Sequence, residues 1–120
     1  MNPGKSTNAK RQRARTLARK ALAQGSPSYM DAVRSTGCVV SRLATKPGTP
    51  CDGRMTFSHL EKTNRPEHSW RRAVGMCFHH HLDEFEGNVE RFCDTYGLPF
   101  LVLVGEANRN AELFGHLVDA

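Results

Sequence analysis

No run of apolar residues in this chain approaches a membrane span. The longest, Pro99 to Val104, is far short of the roughly 20 residues a bilayer needs, so no membrane role is expected. The first 30 positions hold no acidic residue at all. They also lack the apolar segment of a secretory signal, which argues against an exported, disulfide-bonded chain and for a cytoplasmic one. Aromatic residues are few and nowhere clustered, which counts against an RNA-binding zinc protein that stacks bases on exposed rings. There is no internal repeat and no low-complexity tract.

What is present is unevenly placed. Residues 1–30 contain Lys5, Lys10, Arg11, Arg13, Arg15, Arg19 and Lys20, while the remaining ten basic residues face all 12 acids, leaving residues 31–120 at −2. The net charge of +5 therefore belongs to an arm, residues 1–27, and the body is expected over residues 28–120. Each cation of such an arm that meets a phosphate releases a condensed counterion, so DNA is the expected partner. A solvated or membrane-surface helix is the alternative reading of the same charges.

Local patterns suggest an α+β domain. Residues 1–9 read as a disordered lead-in. From Lys10 to Gln24, Ala14, Leu17, Ala18, Ala21 and Leu22 recur at helical spacing, and Gly25-Ser26-Pro27 stops that helix. Ser28 then opens a second helix to about Ser35. Residues 37–54 read as a loop bracketed by Cys38 and Cys51, and Met55 to Leu60 as a strand. A polar loop follows over 61–69, then a second strand over Trp70 to Met76. From Cys77 the pattern turns helical, with Phe78, Leu82, Phe85, Val89, Phe92 and Cys93 on one stripe, a break at Gly87-Asn88 and a stop at Tyr96-Gly97. Cys93 is expected in the core. Phe100 to Val104 fits either a buried strand or a helix opened by Pro99, and the spacing of Phe100, Leu103, Val104, Ala107 and Ala111 favours the helix.

The chemistry-bearing residues are Cys38, Cys51, His59 and the run Cys77-Phe78-His79-His80-His81. A structural zinc takes four thiolate or imidazole ligands, usually as two pairs. Cys77 and His80, at i and i+3, can reach one ion, and the loop from Cys38 to Cys51 can supply the other pair. Small buried thiols are the plainer alternative. His81 lies about 100° further round an α-helix than His80, so it faces a different centre, where it can meet His59 at a strand end. Closure of the tetrahedron by His81 in place of His80 would exchange the two roles. His79 is left facing solvent or a phosphate backbone, and His116 reads as a surface residue.

A strand histidine in "FSHL" (57–60), a polar loop, a second short strand and the helix "GMCFHHHLDEFEGN" (75–88), continued by "GNVERFCDTYGLP", together resemble the HNH (ββα-metal, His-Me finger) nuclease core. The likeness is to small phage and bacterial HNH-like zinc proteins linked to recombination, and it spans about Gly37 to Gly97. It implies a ββα-metal core with a zinc knuckle, flanking helices and the basic arm. It further implies His59 as the general base, His81 as a ligand of a catalytic Mg²⁺ or other divalent ion, and zinc on Cys38, Cys51, Cys77 and His80. The expected setting is the cytoplasm of a bacterial or phage-infected cell.

The pattern is incomplete. Ser58 stands where relatives often carry Asp or His, Phe85 stands where some carry histidine, and no central Asn precedes the helix. Asn64 and His68 are the nearest substitutes. Lys10, Arg11, Arg13, Arg15, Arg19, Lys20, Arg71 and Arg72 are the expected phosphate contacts. The activity implied is metal-dependent DNA endonuclease action of low sequence specificity. A zinc-stabilised DNA-binding accessory protein without cleavage is the alternative.

Overall fold

The computed structural model describes residues 3–61 and 65–118. Helix α1 (Pro3–Gln24) starts well before the expected Lys10, so the lead-in assigned to residues 1–9 is helical from Pro3. The pre-set φ of Pro suits a first helical position. Helix α2 (Pro27–Ser35) is capped by Ser26 rather than Ser28, because Pro27 occupies the first turn and the Ser26 hydroxyl accepts from the Tyr29 amide at 3.0 Å. The expected loop 37–54 contains a short helix, α3 (Val39–Leu43), whose Val39 and Val40 are buried.

Strand β1 (Met55–His59) and strand β2 (Ala73–Cys77) form an antiparallel hairpin, with Met55 opposite Cys77 and His59 opposite Ala73. Their connection carries α4 (Pro66–Ser69) and a 3₁₀ turn (Trp70–Arg72). Trp70 to Arg72 is thus not strand, as expected, and β2 begins at Ala73. Beyond β2 a π-helical segment (His79–Phe85) precedes α5 (Val89–Tyr96). Asn88 caps α5 by accepting the Arg91 amide at 2.9 Å, which explains the break at Gly87-Asn88. Gly97 ends α5 with φ +58°, a left-handed cap that suits glycine. The C-terminal segment is helical, α6 (Phe100–Phe114), followed by a 3₁₀ turn (Gly115–Leu117).

The hairpin is a middle layer. One face, with Phe57, Gly75 and Ala73, packs on α2 through Tyr29 and Val33. A β-carbon on Gly75 would lie 2.7 Å from the Gly37 carbonyl oxygen and 2.9 Å from that of Val33, so this close approach requires glycine. The other face, with Val74 and Met76, joins Phe85, Phe92, Tyr96, Leu98 and Leu103 in the main core. Cys93 is partly buried against that core, where burial raises its thiol pKa. Residues 8–22 of α1 are all exposed, and the helix meets the body at α4, α2 and the Trp70–Arg72 turn. Among the described residues no helix is long and apolar enough to cross a membrane.

Candidate functional site

Cys38, Cys51, Cys77 and His80 converge, their ligand atoms all within 4.8 Å of one another. Each comes from a different local device. Cys38 caps α3, Cys77 ends β2, His80 lies in the first turn of the π-helical segment, and Cys51 is on the loop between α3 and β1. The Nδ1 atom of His80 is 3.1 Å from the Cys77 sulfur, 3.6 Å from that of Cys38 and 3.8 Å from that of Cys51. Tetrahedral zinc with its usual bond lengths separates ligand atoms by about 3.5–3.8 Å, so the set fits such an ion. The opposite ring atom, Nε2, donates to the Thr49 carbonyl at 2.8 Å. That bond places the proton on Nε2 and leaves the Nδ1 lone pair facing the sulfurs. Crowding of three sulfurs shows in Cys51, whose thiol pKa is pushed up to about 12 by desolvation and by Cys38 and Cys77. A bound cation reverses that preference and keeps thiolates. The cluster could therefore hold a metal ion such as zinc, with His80, not His81, closing it.

Thr49 is fixed in turn. Its hydroxyl donates to Glu84 at 2.7 Å, and the Tyr96 hydroxyl donates to the same carboxylate at 2.7 Å. Burial alone would raise the Glu84 pKa, but these bonds and the neighbouring His80 and His79 hold it below the usual carboxylate value. His79 does not simply face solvent, as the sequence suggested. It pairs with Asp83 at 3.0 Å and Glu84 at 2.8 Å, and the Asp83 bond raises its pKa. His79, His80 and Glu84 form a second cluster of metal-binding types, but it shares His80 and its close contacts are internal hydrogen bonds.

His59 and His81 lie on neighbouring elements, β1 and the π-helical segment. His59 ends β1 and lines a cleft of about 1140 Å³ with Leu60, Glu61, Phe85 and Glu86 on one side, and Thr16, Arg19, Lys20 and Ala23 of α1 on the other. His59 Nε2 lies 2.8 Å from the Ala23 carbonyl oxygen. A carbonyl can only accept, so Nε2 carries the proton and Nδ1 of the neutral ring is bare. His81 is buried, with Nδ1 2.7 Å from the Thr56 hydroxyl and Nε2 3.1 Å from Glu86. Burial lowers the His81 pKa against the opposing pull of Glu86, and a protonated His59 would lower it further. The two histidines are thus close enough to sense each other. Ser58, fully buried beside His59, has a hydroxyl with no hydrogen-bond partner.

Other expected residues part ways. His68 is exposed on α4 and lines a separate depression with Arg71 and His116, so it does not join His59 and His81. Arg71 stacks on Trp70 with its guanidinium 5.0 Å from the ring centre, and Arg72 turns to Glu61 at 3.5 Å. Neither lies on a strand edge. Asn64 lies outside the described residues. Lys10, Arg11, Arg13, Arg15, Arg19 and Lys20 are all exposed on α1, and only Arg19 and Lys20 reach the cleft.

Thr49, Thr56, Glu84, Glu86 and Tyr96 were missed from the sequence. Glu84 could have been found at i+4 from His80. Glu86, at i+5 from His81, comes to it only because the segment has π-helical pitch, with the Glu86 amide bonded to the His81 carbonyl at 3.0 Å. Comparison with protein-family models, characterised proteins and solved structures yields no match, so the chemistry of this site rests on its own residues.

Proposed function

We propose that the chain is a zinc-stabilised, metal-dependent DNA endonuclease of the HNH (ββα-metal) type. The observation that carries this reading is the cleft. A strand-end histidine with a bare ring nitrogen and the acid-free helix α1 border one groove, and the buried His81 reaches its edge through Glu86, which lines it. In this reading Arg19 and Lys20 hold a phosphate, and the remaining α1 cations track the backbone beyond the cleft. His59 Nδ1 takes the proton of a water attacking phosphorus, and the Ala23 carbonyl keeps the ring in the tautomer that can do so. His81 would hold a divalent cation, which would supply positive charge for the phosphate under attack and the departing 3′ oxygen. Zinc on Cys38, Cys51, Cys77 and His80 ties the knuckle and hairpin to the helical segment and takes no part in the reaction.

Purified protein incubated with supercoiled plasmid and with single-stranded DNA, in Mg²⁺, Mn²⁺ or EDTA, tests the proposal. Nicking that EDTA abolishes is the expected result. A non-cleaving DNA-binding accessory protein is the second reading, favoured by Ser58 standing where a carboxylate ligand would be useful. Tight, salt-dependent DNA binding without nicking in any metal would establish it.

A further inference from the structure

We infer that Glu86 is a ligand of the divalent cation held beside His81, so that the pair His81–Glu86, and not His81 alone, forms a cation site at the Glu86 edge of the cleft. The inference rests on the proposed cation role of His81 and adds a ligand that the sequence pattern did not contain. Hydrogen-bond bookkeeping around Thr56 carries it. The Thr56 hydroxyl has one proton, and it is donated to the Met76 carbonyl oxygen at 2.7 Å. That carbonyl cannot donate, so the same hydroxyl must accept from His81 Nδ1, 2.7 Å away. The ring proton of His81 is thereby assigned to Nδ1, and the lone pair of the neutral ring is on Nε2. That lone pair faces Glu86 Oε1 at 3.1 Å.

Two acceptors at this separation repel unless something positive lies between or beside them. A proton would make an imidazolium–carboxylate pair. A divalent cation would take both groups as ligands, which is the donor set that Mg²⁺ and Mn²⁺ accept together with several waters. Location favours the cation. Glu86 is more than half exposed and lines the cleft beside His59, open to solvent and to a phosphate, whereas His81 is held from behind by β1. The π-helical pitch supplies the geometry by bringing residues i and i+5 to one face. Arg19 and Lys20 of α1, and Glu61 from the hairpin connection, are the other charged groups on the cleft.

The test is titration of zinc-loaded protein with Mn²⁺, followed by electron paramagnetic resonance of the free ion. Parent, Glu86→Gln and Glu90→Gln are compared, with melting temperature and zinc content measured on each. Glu90 is an exposed acid in the first turn of α5, away from the cleft. The expected result is one Mn²⁺ bound by the parent and by Glu90→Gln, at least tenfold weaker binding by Glu86→Gln, and unchanged zinc and melting in all three. Equal Mn²⁺ affinity of parent and Glu86→Gln, or no binding by the parent, overturns the inference. If Glu86→Gln keeps its Mn²⁺ while the parent nicks DNA, the added ligand falls and the nuclease reading stands. If Mn²⁺ binding depends on Glu86 and no DNA is ever cut, the reverse holds.

Discussion

Replacing Cys77 by Ser tests whether the four-residue cluster is a metal site or a set of core thiols. Cys77 is 2% exposed, ends β2, and puts its sulfur 3.1 Å from His80 Nδ1. If the cluster holds only buried thiols, exchanging sulfur for oxygen in a small side chain should cost about 1–3 kcal/mol, the usual range for one poorly satisfied buried hydroxyl. If it holds zinc, the loss is of another order. Apparent binding energies of structural zinc are about 10–16 kcal/mol, comparable with the whole stability of a domain of this size, about 5–15 kcal/mol. A serine hydroxyl is a poor replacement for a thiolate, so most of that energy would go. The expected outcome is loss of zinc by elemental analysis and loss of the cooperative melt by near-ultraviolet circular dichroism. The parent should follow the same course in excess chelator. Cys93→Ser is the control, because Cys93 packs on the core outside the cluster. Its melt should shift by no more than the ordinary cost of a buried polar atom, with zinc retained. A Cys77→Ser protein that melts within a few degrees of Cys93→Ser, or a fully folded zinc-free parent, would refute the assignment.

His59→Ala should reduce cleavage by about 10²–10⁴-fold while leaving zinc content and DNA affinity intact, and His81→Ala should reduce it in a way that raised Mn²⁺ partly restores. Parallel nicking, melting and binding assays separate the two. Deleting residues 1–15 removes Lys5, Lys10, Arg11, Arg13 and Arg15 but keeps Ala23 and its bond to His59. The slope of log affinity against log salt should flatten by up to about four, and an unchanged slope would show that α1 does not neutralise phosphates. Burial lifts the Tyr29 pKa to about 12 against a smaller opposing effect of Arg71. Its neutral form is favoured in the folded state, so its contribution is complete below pH 10 and is lost as pH rises from 10 through about 12. Tyr29→Phe, measured by denaturant melts across that range, should show a shallower alkaline decline than the parent.

The hairpin, the Cys77–His80 pair and the α5 boundaries were legible because each depends on neighbours in sequence. Alternation marks β1, i and i+3 spacing brings Cys77 and His80 together, and Asn88 and Gly97 punctuate α5. The second half of the metal cluster was less visible. Cys38 and Cys51 converge because α3, unseen in the loop, folds the chain back. The polar network was hidden for a related reason: Thr49 reaches Glu84 and Tyr96 across 35 and 47 residues, a pairing no local pattern encodes. Glu86 escaped notice because the expected α-helical pitch turns it away from His81. Nor does anything in the order of residues announce that Ala23, an apolar position in a basic helix, offers its carbonyl to His59.

That last contact ties two ends of the molecule into one thermodynamic cycle. Arg11, Arg15 and Arg19 follow one another at i, i+4 along an exposed helix that has no acid to balance them, so each pair weakens the free helix by a few tenths of a kcal/mol. A polyanion laid along α1 cancels that repulsion and raises the helicity of the segment that ends at Ala23. Firmer helix at Ala23 means a more constrained imidazole at His59, and linkage requires the converse. Were a polyanion bound there, freeing the ring from the carbonyl would weaken that binding by the same factor. The His59–Ala23 contact is thus where binding along α1 would be felt at the groove, and the order of the arm would follow its occupancy.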